Sequence, residues 1–180
     1  RKIAFFTGSR ADYGLMKPLM ERVIGDKNII FSLVVTGSHL EKRFGNTWKQ
    51  IQKDGFKISS KFKILSDDDS PTGISQSLSR AVRKTSEVLH SLNPDLLVIL
   101  GDRYEALAAA QAAMIHKIPI AHIHGGESTF GLIDEAIRHS ISKMSHLHFV
   151  SCQRYKKRLI QLGEKPNSVW NVGAIGYDNL

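Results

Sequence analysis

The chain has 180 residues, enough for one domain, and 42% of them are hydrophobic, enough to bury a sizeable core. No apolar stretch approaches the roughly 20 residues that a membrane-spanning helix needs, and the single cysteine, Cys152, excludes an internal disulfide and a cysteine-rich metal site. The net charge of +8 asks for an anionic partner, and because the basic residues are scattered, with no zinc-finger or aromatic-and-basic signature, a small phosphorylated ligand is expected rather than nucleic acid.

The first residues, RKIAFF, are basic and then apolar like the start of a signal peptide, but the apolar run ends after a few residues with no small-residue cleavage site, so 3–7 reads as a core strand. A helix is expected over 15–24 and a second strand over 29–36. Residues 44–53 read as a helix closed by Gly55, and 57–64 as a weaker strand or two. After the loop 67–71, the pattern predicts a long amphipathic helix over 74–92, ended by Asn93-Pro94, since proline disfavours helix in the residue before it. A buried strand over 96–100, an alanine-rich helix over 105–116 and a strand over 118–123 follow. The remaining elements are a helix at 133–144, a strand at 146–150, a helix at 153–162 and a strand at 169–172, with a new helix opening at 175–180.

Alternation of this kind implies a parallel sheet with helices on both faces. Several strands are apolar throughout, as expected when both faces are covered. There are no repeats and no linker, so residues 1–180 are expected to form one α/β domain. One unpaired cysteine fits a reducing, cytoplasmic setting. The basic run 154–158 sits on an expected surface helix and reads as a solvated face.

In open α/β sheets, ligands sit beyond the carboxyl ends of the strands. The residues just after each apolar strand are therefore the informative ones. Residues 7–14 (TGSRADYG) are neither a GxGxxG fingerprint nor a Walker A. They do offer glycines, Arg10 and a helix N-terminus, which together suit a phosphate. An ordinary strand-to-helix turn with Arg10 paired to Asp12 fits the spacing equally. At 101–105 (GDRYE), Asp102 and Arg103 emerge side by side from a strand without a polar residue. Asp102 either caps the next helix, where Asp is favoured, or faces the ligand; the convergence of the loops favours the second.

At 122–127 (HIHGGE), strand alternation puts His122 and His124 on one face, and with Glu127 they could hold zinc. Other ligands are not obvious, and Gly125-Gly126 more simply lets the backbone approach a ligand. Asp134 and Arg138 lie four apart on one face of a helix. Local spacing favours the plain reading, a first-turn carboxylate in an ordinary salt bridge.

Taken together, six segments in order resemble the hydrolysing UDP-N-acetylglucosamine 2-epimerases of the sialic-acid pathway type. They are residues 7–14, 36–40 (TGSHL), 101–105, 122–127, 134–143 (DEAIRHSISK) and 172–178 (VGAIGYD). The non-hydrolysing 2-epimerases are more distant relatives that share the glycine-aspartate after the fourth strand and the acidic-x-x-x-Arg helix. The resemblance implies a Rossmann-like domain that is the first half of a two-domain glycosyltransferase-B type fold, with UDP-sugar between the halves and the C-terminal domain absent from this chain. The isolated half is then expected to fold without turning over substrate. The implied reaction converts UDP-N-acetylglucosamine and water to N-acetylmannosamine and UDP, with no redox cofactor and no metal. The full-length enzyme is expected to be a homo-oligomer.

On this resemblance Asp102, His124, Glu127 and Asp134 are the candidates for proton transfer. Arg10, Arg103, Arg138, Gly125 and Gly126 are the candidates for substrate binding. Several family members carry a carboxylate where this chain has His124. That difference leaves open a UDP-2,4-diacetamido sugar of the legionaminic-acid route as substrate. A UDP-sugar glycosyltransferase domain or a non-catalytic nucleotide-sugar sensor would share the fold and lack the chemistry at C2.

Overall fold

A computed structural model describes residues 1–129 and 133–179. The first part of the chain forms β1 (Lys2–Thr7), α1 (Arg10–Ile24), β2 (Ile30–Val35), α2 (Trp48–Lys53) and β3 (Ser60–Lys61). The second part forms α3 (Pro71–Leu92), β4 (Leu96–Leu100), α4 (Tyr104–Ile115), β5 (Ile120–Ile123), α5 (Ile133–Met144), β6 (Leu147–Val150), α6 (Gln153–Gln161) and β7 (Val169–Asn171). Among the described residues these strands make one parallel sheet in the order β3-β2-β1-β4-β5-β6-β7. The chain works outward from β1 to β3, returns to place β4 beside β1, and then runs the other way. That reversal leaves a crevice beyond the carboxyl ends of β1 and β4. The parallel, Rossmann-like α/β fold expected from the sequence is the one observed.

Two apolar layers sandwich the sheet. On one face Ala4, Phe6, Val34, Leu97, Ile99 and Ile120 pack under α3, α4 and α5. Alanines at 106, 109, 110, 112 and 113 let α4 lie close to the strands. On the other face Phe5, Leu33, Val35 and Val98 meet Tyr13, Met16 and Met20 of α1, with Ile51 and Phe56 beside them. Each large side chain so buried contributes about 1.5–3 kcal/mol.

Several boundaries differ from the sequence reading, each for a local reason. α1 begins at Arg10, because the Ser9 side chain caps the helix by accepting from the Asp12 amide. The helix expected over 44–53 is a 3-10 turn, Lys42–Phe44, and then the short α2, because Gly45 and Asn46 take left-handed φ of 83° and 49°. α3 begins at Pro71 under a Ser70 cap and ends at Asn93, whose φ is 44°. Only Ser60–Lys61 of the weak segment 57–64 pairs with β2. The expected terminal helix is a 3-10 turn over Ile175–Asn179, and Leu180 lies outside the described residues. Among the described residues no helix is long and apolar enough to cross a membrane.

Candidate active site

Three strand-end loops meet at the switch point. Ser38 donates its amide and its hydroxyl to the Gly8 carbonyl, at 2.9 and 3.1 Å. A Cβ on Gly37, whose φ is 59°, would lie 2.5 Å from that carbonyl, so only glycine lets the loops after β1 and β2 touch. Behind them sits Glu105, only 1% exposed. A Cβ on Gly8 would lie 3.2 Å from the Glu105 Cβ, and Glu105 accepts from Arg103 Nη2 at 3.3 Å. Burial raises the pKa of Glu105 against the opposing field of Arg103. Burial likewise raises that of Asp12, whose carboxylate accepts from the Gly8 amide and feels Arg103.

The alternative pairing of Arg10 with Asp12 is absent from the ion pairs of the described residues, because Asp12 turns back onto its own loop. Arg10 is exposed at the first position of α1, where the helix N-terminus and the guanidinium present positive charge together. His39, fully buried in the loop after β2, bonds Thr7 at 3.0 Å and Thr47 at 2.7 Å. Burial drives its pKa down to about 4, so the ring is neutral.

A second cluster lies beyond β4 and β5. Asp102 pairs with Arg138, so it neither caps α4 nor leaves Arg138 to Asp134. The plain reading of an Asp134–Arg138 salt bridge is thereby corrected. Burial raises the pKa of Asp102; Arg138 pulls it down, and Asp134 and Glu127 push it up. Arg138 is 7% exposed and also donates to the Thr129 hydroxyl at 3.1 Å, and its Nε has no partner among the described residues. His124 Nδ1 lies 3.9 Å from Glu127, which accepts from the Ser151 hydroxyl at 2.7 Å. Burial lowers the pKa of His124, Glu127 opposes that shift, and Arg138 adds to it. Asp102, His124, Glu127, Asp134 and Arg138 therefore share one electrostatic environment. It contains three carboxylates and an imidazole around one nearly buried guanidinium.

The two histidines expected on one face take different roles. His124 has a φ of 62°, which ends the strand and breaks the alternation. His122 stays in β5, fully buried, between the Gly101 carbonyl at 2.7 Å and the Ser142 hydroxyl at 3.1 Å. Burial lowers its pKa to about 3, so the ring is neutral. A carbonyl can only accept, so Nε2 carries the proton and Nδ1 is an acceptor, facing a Ser142 hydroxyl whose single proton also has the Arg138 carbonyl within reach at 3.0 Å. His122 thus ties the loop bearing Asp102 to α5, which carries Arg138. Among the described residues no group of three His, Cys, Asp or Glu side chains converges as metal ligands would.

The glycine pair is explained by protein atoms. A Cβ on Gly125 would lie 2.9 Å from both His122 Nδ1 and Ser142 Oγ. On Gly126, whose φ is 75°, it would lie 2.7 Å from the Tyr155 carbonyl. These protein atoms are enough to demand glycine at both positions. Arg158, within the run read as a solvated face, reaches in to donate to the Gly126 carbonyl. Glu135 accepts from the Ser128 hydroxyl and the Thr129 amide, both at 3.0 Å, and so holds the end of the same loop. Glu105, Ser151 and Thr129 were not singled out from the sequence. For Glu105 the available signal was a charged residue inside an alanine-rich apolar helix.

The chain resembles known proteins in both sequence and fold. A family model described as UDP-N-acetylglucosamine 2-epimerase matches residues 22–180. The chain is 46% identical over 175 residues to a Campylobacter jejuni protein named GDP/UDP-N,N'-diacetylbacillosamine 2-epimerase (hydrolyzing), covering 97% of this chain and 45% of that one. It is 44% identical over 179 residues to the Escherichia coli polysialic acid biosynthesis protein P7, covering 99% and 46%. The chain thus spans about half the length of the curated relatives it matches. In fold it matches the crystal structure of a Neisseria meningitidis UDP-GlcNAc 2-epimerase bound to UDP-GlcNAc, with TM-score 0.88 and 23% identity over 99% of this chain and 47% of that one.

Proposed function

The chain belongs to the UDP-N-acetylglucosamine 2-epimerase family, and from that premise we propose that the whole protein is a hydrolysing 2-epimerase of a UDP-2-acetamido sugar, with residues 1–180 as its N-terminal half. The observation that carries this reading is one cluster at the carboxyl end of the sheet, in which Asp102 pairs with Arg138 and feels Asp134 and Glu127, and His124 lies 3.9 Å from Glu127.

The reaction needs a base to remove the proton from C2 as the C1–oxygen bond breaks and UDP leaves. It then needs an acid to return a proton to C2 on the opposite face while water supplies the hydroxyl at C1. A neutral His124 can accept a proton, and the raised Asp102 carboxyl is tuned toward holding one. Glu127 and Asp134 complete the set of proton-transfer groups. Arg10, Arg103 and the N-terminus of α1 would stabilise the departing diphosphate, a task for preorganised cationic donors. Elimination followed by hydration asks for neither a redox cofactor nor a metal ion.

Catalysis would require the second half. With one wall of the cleft, the diphosphate stays in water, where each charged contact is weak. UDP-N-acetylglucosamine, giving N-acetylmannosamine and UDP, is the first substrate reading. The second is a UDP-2,4-diacetamido sugar, favoured by the name of the relative at 46% identity. Assays of the full-length protein with each sugar nucleotide decide between them. Release of UDP together with a free 2-epimerised sugar supports the activity, and the preferred donor names the substrate. Release of neither from either donor contradicts it.

A further inference from the structure

Glu105 is an expensive residue for its place in the fold. It is the second residue of α4, a helix otherwise buried through alanines such as Ala106, Ala109 and Ala113. Its side chain is 1% exposed, and Oε2 has no partner among the described residues. A carboxyl withdrawn from water with an oxygen unsatisfied lowers stability. The dipole of α4 favours a carboxylate in the first turn, but an exposed one gains as much without losing its water. Alanine would suit this position better on packing grounds alone. Two loops wall the carboxyl in. A Cβ on Gly8 would lie 3.2 Å from the Glu105 Cβ, and a Cβ on Gly37 would lie 3.1 Å from Oε1. Into that fixed oxygen Arg103 donates from Nη2 at 3.3 Å. Arg103 is the residue that precedes α4; it makes no side-chain cap bond, and its side chain is 48% exposed. Asp12, at the start of α1, feels the same guanidinium. Arg103 therefore stands between the loops after β1 and β4, anchored at one nitrogen and half open to the crevice.

We propose that Glu105 is a positioning residue, which holds the Arg103 guanidinium in place in the crevice for the diphosphate of a sugar nucleotide. This inference rests on the epimerase reading given above, in which Arg103 is one of the cations that meet the diphosphate. An unanchored arginine must be immobilised when its ligand arrives, and ordering one such side chain weakens binding by roughly two- to tenfold. Glu105, itself confined by Gly8 and Gly37, imposes that order beforehand. Its charge works the other way, because a carboxylate close to a diphosphate repels it. The two effects give opposite signs when the carboxyl is removed. A bystander carboxylate leaves binding unchanged or tighter once it is gone, whereas an anchor leaves it weaker. An anchor also acts only through the arginine it holds, so its effect vanishes when Arg103 is absent.

The test is a double-mutant cycle on the full-length protein, with UDP affinity measured by calorimetry and folding checked by thermal melts. Glu105→Ala should weaken UDP binding by about two- to tenfold with Arg103 present. In an Arg103→Ala background the same substitution should weaken it no further. Glu105→Gln keeps the volume and removes the charge, so it should give a smaller loss of the same sign, and it replaces Glu105→Ala in the cycle if that variant does not fold. Unchanged or tighter binding with Arg103 present would overturn the proposal. An equal loss with and without Arg103 would overturn it too, as would no UDP binding by the unsubstituted protein. Sugar-nucleotide turnover measured on the same samples keeps the two readings apart. Turnover by the unsubstituted protein with an affinity that ignores Glu105 removes the positioning role alone. The coupled loss of affinity in a protein that turns over neither sugar nucleotide removes the epimerase reading alone.

Discussion

Nη2 of Arg138 and Oδ2 of Asp102 form an ion pair that joins the second turn of α5 to the loop after β4, across 36 positions of sequence. Arg138 is the more buried partner, and Thr129 holds its other terminal nitrogen. The pair ties α5 to the loop after β4.

Asp102→Asn should keep the fold, since its amide oxygen can still accept from Arg138. It should cut turnover of the full-length enzyme by about 10²–10⁴, the range for loss of a proton-transfer group. Arg138→Gln removes the cation and leaves Asp102 partly buried beside Glu127 and Asp134. That should cost about 1–3 kcal/mol, discounted from the fully buried case because Asp102 retains some exposure. Paired urea melts and initial rates distinguish the two variants. A near wild-type rate for Asp102→Asn would discard it as a proton-transfer group.

Arg10→Ala should weaken UDP binding to the full-length protein by about tenfold at low ionic strength and by less at high salt, because an exposed charge-assisted contact is screened. Calorimetry at two salt concentrations reads both effects. Equal affinity for mutant and wild type in both buffers would place Arg10 outside the site.

Stability should fall on acidification below pH 6.5. His39 and His122 have folded pKa values of about 4 and about 3, below the unfolded 6.5, so the unfolded chain binds protons that the folded chain refuses. Their contribution is present above pH 6.5 and is lost as the pH drops, at up to about 1.4 kcal/mol per pH unit for each ring. Asp12, Asp102 and Glu105, raised by burial, act in the opposite sense and soften the fall at the acid end. Urea midpoints at pH 7, 6 and 5 should decrease in that order. A flat series would mean that these histidines are not held neutral.

Much of this arrangement was legible in the residues themselves. The unbroken apolar run of β4 and the Gly-rich loops after each strand announce a covered parallel sheet and a crevice at its carboxyl edge. What could not be read were partnerships set by tertiary packing. Asp134 and Arg138 have ideal helical spacing, yet Arg138 turns to Asp102 on another element. His122 and His124 alternate in sequence, but the left-handed backbone at 124 separates them. Gly125 and Gly126 suggest close approach of the backbone to a ligand, but their packing against His122, Ser142 and the Tyr155 carbonyl has no signal in the sequence. The Ser9 cap of α1 and the break at Gly45-Asn46 do have sequence signals, a capping serine and a Gly-Asn pair, which hydrophobic periodicity alone does not register.

The most direct test of the central claim is turnover by the full-length enzyme in deuterium oxide, followed by mass and NMR analysis of the released sugar. Elimination and hydration through Asp102, His124, Glu127 and Asp134 require one solvent deuteron at C2 of the 2-epimerised product. A sugar released or transferred with its original C2 proton would contradict the account and would point to a glycosyltransferase or a nucleotide-sugar sensor on the same fold.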